Sequence, residues 1–273
     1  MTGGDMAERL VVKDLLGFLD SYAPFALAEN WDNVGLMVGD AAAEVSGVFI
    51  GLDATLDLFA EARAAGCNTI INHHPLLFHP PKQILTSTVQ GRLIREALLA
   101  DLHVIACHTN LDVVPGGVND ALASRLGLLD TVPLIGRDCA EDCGFGRLGV
   151  LAEAMAGQAF MAHLAAVLEQ PDILVAGRLP ESIERLAVCG GSCGDFGPQA
   201  QAAGAQLLIT SEVKHSQARW AEDAGFCLVD CGHFATENVV VPLLYEKIAD
   251  FCGAGTPVKV ASRQHGPFYS LRA

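Results

Sequence analysis

Short, uninterrupted apolar segments alternate with helical patterns along this chain, and this alternation limits the possible folds more than any other feature. The apolar segments are continuous, so each is predicted to be a strand that is buried on both faces. Strands of this kind form parallel or mixed sheets that are covered by helices, and we therefore predict an α/β fold. The predicted strands are residues 47–53, 68–72 and 103–107 in the first half, and 185–189, 206–210 and 226–230 in the second.

The length of 273 residues corresponds to about two domains. We predict two related α/β domains with mainly parallel or mixed sheets, at residues 1–130 and 181–273. Residues 131–180 are predicted to be a short connector with a strand–helix–strand pattern. A late apolar segment, residues 258–261, is expected to complete the second domain.

Side chains that bind metals follow three of the predicted strands, at the point where each strand ends. His73 and His74 follow one strand, Asp112 lies shortly after another, and His233 and Glu237 follow a third. Ligands of open α/β sheets bind beyond the carboxyl ends of the strands, so these side chains are predicted to converge on one site. Imidazole and carboxylate without thiolate suit Zn, Mn, Fe or Co.

Each of these motifs has a structural alternative when it is taken alone. Adjacent histidines within a strand point to opposite faces, so both can face one site only where the strand has ended. Pro75 indicates such an end here. The alternative is that the two histidines have a structural role. Asp112 is equally suited to a helix cap or a turn. His233 and Glu237 share one face only if a helix begins there. The combination at three strand ends is what favours a metal site.

The number of ligands predicts the number of ions. Five side chains exceed what a four-coordinate site with one open position requires. They fit two divalent ions about 3.5–4 Å apart that share a bridging carboxylate, an arrangement used in metal-assisted hydrolysis. In such a site a metal-bound hydroxide is the nucleophile. The two ions are expected to be Zn, Fe, Mn or Co.

Three further polar residues follow the predicted strand at residues 206–210 and are candidates for catalysis. Glu212, Lys214 and His215 are predicted to transfer protons or to contact the substrate. The alternative is a helix N-terminus at which Ser211 is the cap and Glu212 interacts with the helix dipole.

The composition excludes some classes of partner. A formal net charge of −15 argues against binding to nucleic acid, which requires clustered Lys and Arg. No apolar run approaches the ~18 residues of a membrane span, and no secretory signal precedes the first predicted helix. We therefore expect a cytoplasmic protein without a membrane or nucleic-acid partner. Apolar residues make up 51% and charged residues 18%, which suits a subunit that is partly buried in an oligomer.

Six of the nine cysteines form pairs that are spaced four residues apart. A cytoplasmic location argues against disulfide bonds. The spacing is also wider than the C-x-x-C that is usual in structural zinc sites. We therefore interpret most of these residues as small buried apolar side chains. The pairs are Cys139 and Cys143, Cys189 and Cys193, and Cys227 and Cys231.

Several motifs of the chain together resemble the Nif-three-like family, whose members are named GTP cyclohydrolase I type 2 homologues. The resemblance spans nearly the whole chain, and the motifs occur in the same order. They are Trp31-Asp32-Asn33-Val34-Gly35-Leu36, Asn72-His73-His74-Pro75, His108-Thr109-Asn110-Leu111-Asp112, Gly232-His233-Phe234-Ala235-Thr236-Glu237 and Gly266-Pro267-Phe268.

The resemblance implies two α/β domains with a dinuclear metal site in the cleft between them, and a toroidal homohexamer. It implies the same five metal ligands that the strand ends indicate, and a supporting role for His108. Many relatives carry a further domain between the two halves, where this chain has only the short connector.

Two hypotheses for the function follow. The first is a dinuclear-metal-dependent hydrolase that acts on a small molecule such as a nucleotide, by GTP cyclohydrolase-like ring opening or by phosphoester hydrolysis. The second is a non-catalytic metal-binding hexamer with a regulatory or scaffold role. Turnover by metal-loaded protein distinguishes between them.

Overall fold

A computed structural model describes residues 9–139 and 142–271 of the chain, which divides into two compact units. The strands are β1 (Gly35–Val38), β2 (Val48–Gly51), β3 (Thr69–Asn72), β4 (His103–Ala106), β5 (Leu129–Gly136), β6 (Gly144–Ala156), β7 (Leu174–Gly177), β8 (Ser182–Val188), β9 (Leu208–Thr210), β10 (Cys227–Asp230) and β11 (Val258–Val260). The α-helices are α1 (Val12–Tyr22), α2 (Leu56–Ala64), α3 (Val89–Leu99), α4 (Thr109–Val113), α5 (Val118–Arg125), α6 (Gly157–Val167), α7 (Gly197–Ala202), α8 (His215–Ala224), α9 (His233–Glu237) and α10 (Val240–Cys252). None of the helices in these described ranges has the length and apolar character needed to cross a membrane.

The first unit runs to Asn110 and also contains Val241–Gln264. Its sheet has the order β1-β4-β3-β2-β11, in which β1 is antiparallel at one edge and the other strands are parallel. Every residue of β2, β3 and β4 is buried, as expected for continuous apolar strands in a covered sheet. Asn72 is paired with Gly51 on one side and with Ala106 on the other. The three strands therefore end side by side.

The second unit comprises Leu111–Val240 and the residues from His265. Its sheet has the order β5-β6-β8-β9-β10-β7. The strands β8, β9 and β10 are parallel, and β5, β6 and β7 are joined to them through antiparallel pairings. Apolar side chains of this sheet pack against α5 and α6, with Phe160 and Leu164 fully buried. Both sheets thus mix parallel and antiparallel strands, and the predicted α/β fold is confirmed.

The two compact units do not coincide with the predicted domains at residues 1–130 and 181–273. The predicted connector, residues 131–180, is part of the second sheet, because β6 pairs with β5 and β8, and β7 pairs with β10. The prediction that residues 258–261 complete the second domain is wrong, because β11 pairs in parallel with β2 of the first sheet. The local apolar pattern does not show which strands pair when the segments lie so far apart in the chain.

Cys139 and Cys143 are joined by a disulfide bond, with their Cα atoms 6.0 Å apart. This contradicts the expectation that the chain lacks disulfide bonds. Cys139 follows β5 and Cys143 directly precedes β6, and the Arg137 backbone N–H donates to the Cys143 carbonyl. The antiparallel pairing of β5 with β6 therefore brings the two thiols close together. The remaining cysteines have free thiols and most of them are buried, as predicted.

Arg147 on β6 is the largest fully buried side chain among the described residues of the chain. Its guanidinium forms an ion pair with Asp120 on α5, and Nη2 donates to Asp120 Oδ2 at 2.8 Å. Its Nη1 donates to the carbonyl oxygens of Gly144 and Gly146, both at 2.8 Å. These hydrogen bonds offset part of the desolvation cost of the buried charge.

The Asp120→Ala variant should lose about 3 kcal/mol of unfolding free energy, because the substitution leaves a buried guanidinium without its counter-ion. Urea denaturation followed by circular dichroism measures the change. The matched control is Asp223→Ala, at an exposed position of α8, where we expect a change within about 0.5 kcal/mol. Equal effects of the two substitutions would contradict the role assigned to Arg147.

Candidate metal centre

Three histidines lie together at the carboxyl ends of β3 and β4 in the first unit. His73 and His74 directly follow β3, and His108 follows β4 after one residue. The ring centroid of His73 is 5.0 Å from that of His74 and 5.1 Å from that of His108. One nitrogen from each ring lies within 4.8 Å of the others. Imidazole nitrogens at this spacing could hold a metal ion.

A hydrogen bond at Nδ1 fixes each of the three rings. The acceptors are the Cys107 carbonyl for His73 at 2.9 Å, Asp53 Oδ1 for His74 at 2.7 Å, and Asp32 Oδ1 for His108 at 2.9 Å. A carbonyl or carboxylate oxygen can only accept, so Nδ1 of the neutral ring carries the proton and Nε2 carries the lone pair. Metal-binding histidines are characteristically held in this way. Each ring therefore presents Nε2 as the nitrogen that could bind a metal ion.

The acceptor for His108, Asp32, has a fully buried carboxylate. Burial alone would raise the pKa of this carboxyl, but hydrogen bonds from His108 and Thr109 lower it well below its usual value. Asp32 is therefore ionised at neutral pH and remains an acceptor. The predicted site omits both Asp32 and Asp53. Asp53 ends the predicted strand at residues 47–53, so the strand-end rule that selects the histidines also points to it.

In the second unit, His233 and Glu237 begin and end the short helix α9, which confirms the predicted helix start. His233 Nε2 lies 2.9 Å from Glu237 Oε2, as a separation of four residues on a helix allows. His233 Nδ1 lies 3.0 Å from Glu212 Oε1, so a second carboxylate holds the other side of the ring. Glu237 is 3% exposed. This pair presents imidazole and carboxylate together, which are donors that suit a divalent ion.

Asp112 lies in α4, where it is linked to the loop that follows β8. Its carbonyl oxygen accepts a hydrogen bond from Asn119 Nδ2 at 2.9 Å. Asn119 Oδ1 in turn accepts one from the backbone N–H of Gly190 at 3.0 Å. The Asn119 amide thereby fixes α4 relative to this loop, the glycine-rich loop that contains Gly190 and Gly191.

The negative charges of Asp112 and Glu237 both raise the pKa of one buried thiol, that of Cys189. A hydrogen bond with Cys193 raises the pKa of Cys189 well above its usual value, burial raises it further, and the two carboxylates add to the effect. The negative charges of both predicted ligands therefore disfavour the thiolate form of Cys189.

The glycine-rich loop packs directly against Glu237. Gly191 has a φ of +69°, and a Cβ added there would lie 2.2 Å from Glu237 Oε1. The backbone N–H of Gly191 donates to Thr236 Oγ1 at 3.1 Å. Glycine is therefore required both for the backbone conformation and for the close approach of the carboxylate.

The three predicted catalytic residues lie before and at the start of α8. This helix begins at His215 with Lys214 as its N-cap, so the alternative in which Ser211 is the cap is wrong. Lys214 Nζ is 3.6 Å from Asp195 Oδ2, and both His215 and Lys214 are exposed. Glu212 contacts His233 and has a φ of +53°. This left-handed conformation costs a non-glycine residue about 1–2 kcal/mol. Their catalytic roles stay a prediction.

Comparison with known proteins identifies the family of the chain. A model of the family described as Duf34/NIF3 (NGG1p interacting factor 3) matches residues 10–267. The chain belongs to the NIF3 family. A Clostridium acetobutylicum relative named GTP cyclohydrolase 1 type 2 homolog is 32% identical over 264 residues, which cover 95% of this chain and 98% of the relative. A Clostridium perfringens relative of the same name is 32% identical over 257 residues, covering 94% and 98%. The resemblance that the motifs indicate is confirmed.

Solved structures are similar to this NIF3 chain over nearly its whole length. A Staphylococcus aureus hypothetical protein has a TM-score of 0.90 at 29% identity, covering 97% of this chain and 100% of that protein. A Bacillus cereus protein related to NIF3 shares the fold, with a TM-score of 0.87 at 24% identity. A Staphylococcus aureus relative named GTP cyclohydrolase 1 type 2 homolog, 29% identical to this chain, aligns over 328 positions, more than the 273 residues of this chain. That relative therefore contains residues within the aligned region that this chain lacks.

The Asp53→Asn variant should bind divalent metal about 10- to 100-fold more weakly, because an amide does not orient His74 as the carboxylate does. Isothermal titration calorimetry with Zn²⁺ or Mn²⁺ measures the affinity. The matched control is Asp57→Asn, in the exposed first turn of α2, which should bind as the wild type does. Wild-type affinity in Asp53→Asn would show that this carboxylate supports no metal ligand.

The Gly191→Ala variant should lose metal affinity, because the added methyl group displaces the Glu237 carboxylate. The control is Gly225→Ala, where φ is +63° and an added Cβ has nothing within 4 Å. Both variants should lose about 1–2 kcal/mol of stability through backbone strain, but only the first should bind metal more weakly. Equal metal affinity in the two variants would exclude a role for Gly191 in positioning Glu237.

Proposed function

We propose that this NIF3 chain is a dinuclear-metal-dependent hydrolase. The observation that carries the proposal is the orientation of the three histidine rings in the first unit, each held at Nδ1 by an acceptor. The proposed ligands of two divalent ions are His73, His74, Asp112, His233 and Glu237, with His108 as a supporting residue.

The donor set fits Zn, Fe, Mn or Co, since it combines imidazole nitrogen with carboxylate oxygen. When bound, such ions would supply Lewis acidity and an acidified water for hydrolysis. Their charge would also attract an anionic substrate to a chain whose formal net charge is −15.

The chain's own residues would orient the ligands and transfer protons. Asp32 and Asp53 keep two of the histidine rings in the orientation described above. Glu212 is hydrogen-bonded to His233. The Glu212 side chain is 54% exposed, so the Glu212 carboxylate can exchange a proton with the reacting molecule. Lys214 and His215 are exposed at the start of α8 and are proposed to contact the substrate.

The proposed substrate is a small molecule. The name of the clostridial relatives, GTP cyclohydrolase 1 type 2 homolog, favours a purine nucleotide. Hydrolysis would then open the imidazole ring of the purine and release formate. A phosphoester is the other substrate class that the same ligand set could hydrolyse.

A second candidate function is a non-catalytic metal-binding scaffold, and one surface feature favours it. The edge strand β7 leaves Leu174 70% and Val175 43% exposed. An edge strand with exposed apolar side chains is suited to pairing with another chain. Together with the motifs, this feature supports our proposal of a homohexamer, and we propose that this assembly is cytoplasmic.

Turnover assays with protein of verified metal content test the hydrolase. Metal-loaded protein should convert GTP or a generic phosphoester such as p-nitrophenyl phosphate, and His74→Ala should reduce the rate to that of the blank. The variant must be compared at equal protein concentration and with its own metal content measured. No turnover by wild-type protein that holds two ions per chain would reject the hydrolase and favour the scaffold.

A further inference from the structure

Two aromatic side chains of the first unit are exposed beside the three histidines. Trp31 is 54% exposed and Phe78 is 39% exposed, whereas Phe49 and Phe59 of the same unit are at most 3% exposed. The Trp31 and Phe78 ring centroids are 5.6 Å apart, and the rings are inclined by 40°. Each centroid lies 6.1 Å from that of His108, with the rings edge-on. We refer to Trp31 and Phe78 as the aromatic pair.

Hydrogen bonds fix the segment that carries Trp31. Its neighbour Asp32 accepts from the backbone N–H of Thr109 at 3.0 Å and from the ring of His108. The residue that orients His108 is therefore adjacent in the chain to the exposed indole. This arrangement sets the position of the indole relative to the histidines.

The segment that carries Phe78 is attached to the same place. Asn33 Nδ2 donates to the carbonyl oxygen of Leu77, the residue before Phe78. Trp31 is thus adjacent to Asp32, which is hydrogen-bonded to His108. Phe78 is adjacent to Leu77, whose hydrogen bond with Asn33 joins the two segments.

We propose that the aromatic pair is a binding subsite on which a planar heteroaromatic ring of the substrate stacks. Aromatic side chains bind planar π systems through their faces, and a phosphoester without a ring would leave both rings uncovered. A contact between two copies of the chain would also cover an exposed aromatic patch, but it would not require the patch to be fixed relative to the histidines. The inference rests on the proposed function and narrows its substrate class to molecules with a planar heterocycle.

Fluorescence of Trp31 tests this subsite without any turnover. The chain has two tryptophans, so Trp220→Phe leaves Trp31 as the sole indole. In this background, guanosine monophosphate or uridine monophosphate should quench the emission saturably, and ribose 5-phosphate should not. Quenching by protein that holds two ions per chain but shows no turnover would reject the hydrolase and leave the subsite intact, so the two failures are distinguishable.

Substitutions of the aromatic pair separate stacking from a structural role. Trp31→Leu and Phe78→Leu should weaken binding of the quenching nucleotide about 5- to 150-fold in equilibrium dialysis. Trp31→Phe, which keeps a ring, should retain most of the affinity. Tyr245→Leu, at an aromatic side chain that is 39% exposed elsewhere in the unit, is the matched control and should bind as the wild type does. All variants should keep the wild-type metal content.

Three results would overturn the proposal. The first is wild-type nucleotide affinity in both leucine variants, and the second is the absence of saturable quenching by either nucleotide. The third is an altered oligomeric state of Trp31→Leu in light scattering with nucleotide binding unchanged, which would assign the aromatic pair to a contact between copies of the chain.

Discussion

Hydrogen bonds at the Nδ1 atoms of His73, His74 and His108 are the constraint on which the proposed chemistry depends. An imidazole without such a partner can present either nitrogen and can rotate, whereas a held ring offers one nitrogen in one direction. The sheet supplies two of the acceptors, because Asp53 follows β2 and Cys107 follows β4, on the two sides of β3. The strand order β4-β3-β2 with parallel pairing therefore places these two acceptors beside His73 and His74.

The second unit applies the same principle with different residues. Glu212 holds one nitrogen of His233 while Glu237 lies at the other. A glycine loop then confines Glu237, because Gly191 leaves no space for a side chain beside the carboxylate. The contact between Glu212 and His233 forms although Glu212 has an unfavourable left-handed backbone conformation. Backbone strain of this kind is common at functional sites.

Elements and residues whose signal is local could be predicted from the sequence, and those that depend on distant pairing could not. The strands β2, β3 and β4 are continuous apolar runs, and their polar ends identified the histidines. The edge strand β5 is half-exposed and contains Pro133, so it lacks that signal. The partner of β11 is set by the tertiary fold. Likewise Asp32 lies 76 residues from His108, so its role is visible only once the chain has folded.

A crystal structure with anomalous diffraction data from metal-loaded protein tests the central claim most directly. We predict two anomalous peaks per chain, bonded at about 2.0–2.2 Å to Nε2 of His73 and His74 and to the carboxylate of Glu237. Asp53 should remain at Nδ1 of His74 in that structure. Coordination through Nδ1, or no peak near these atoms in protein whose metal content has been verified, would contradict this account.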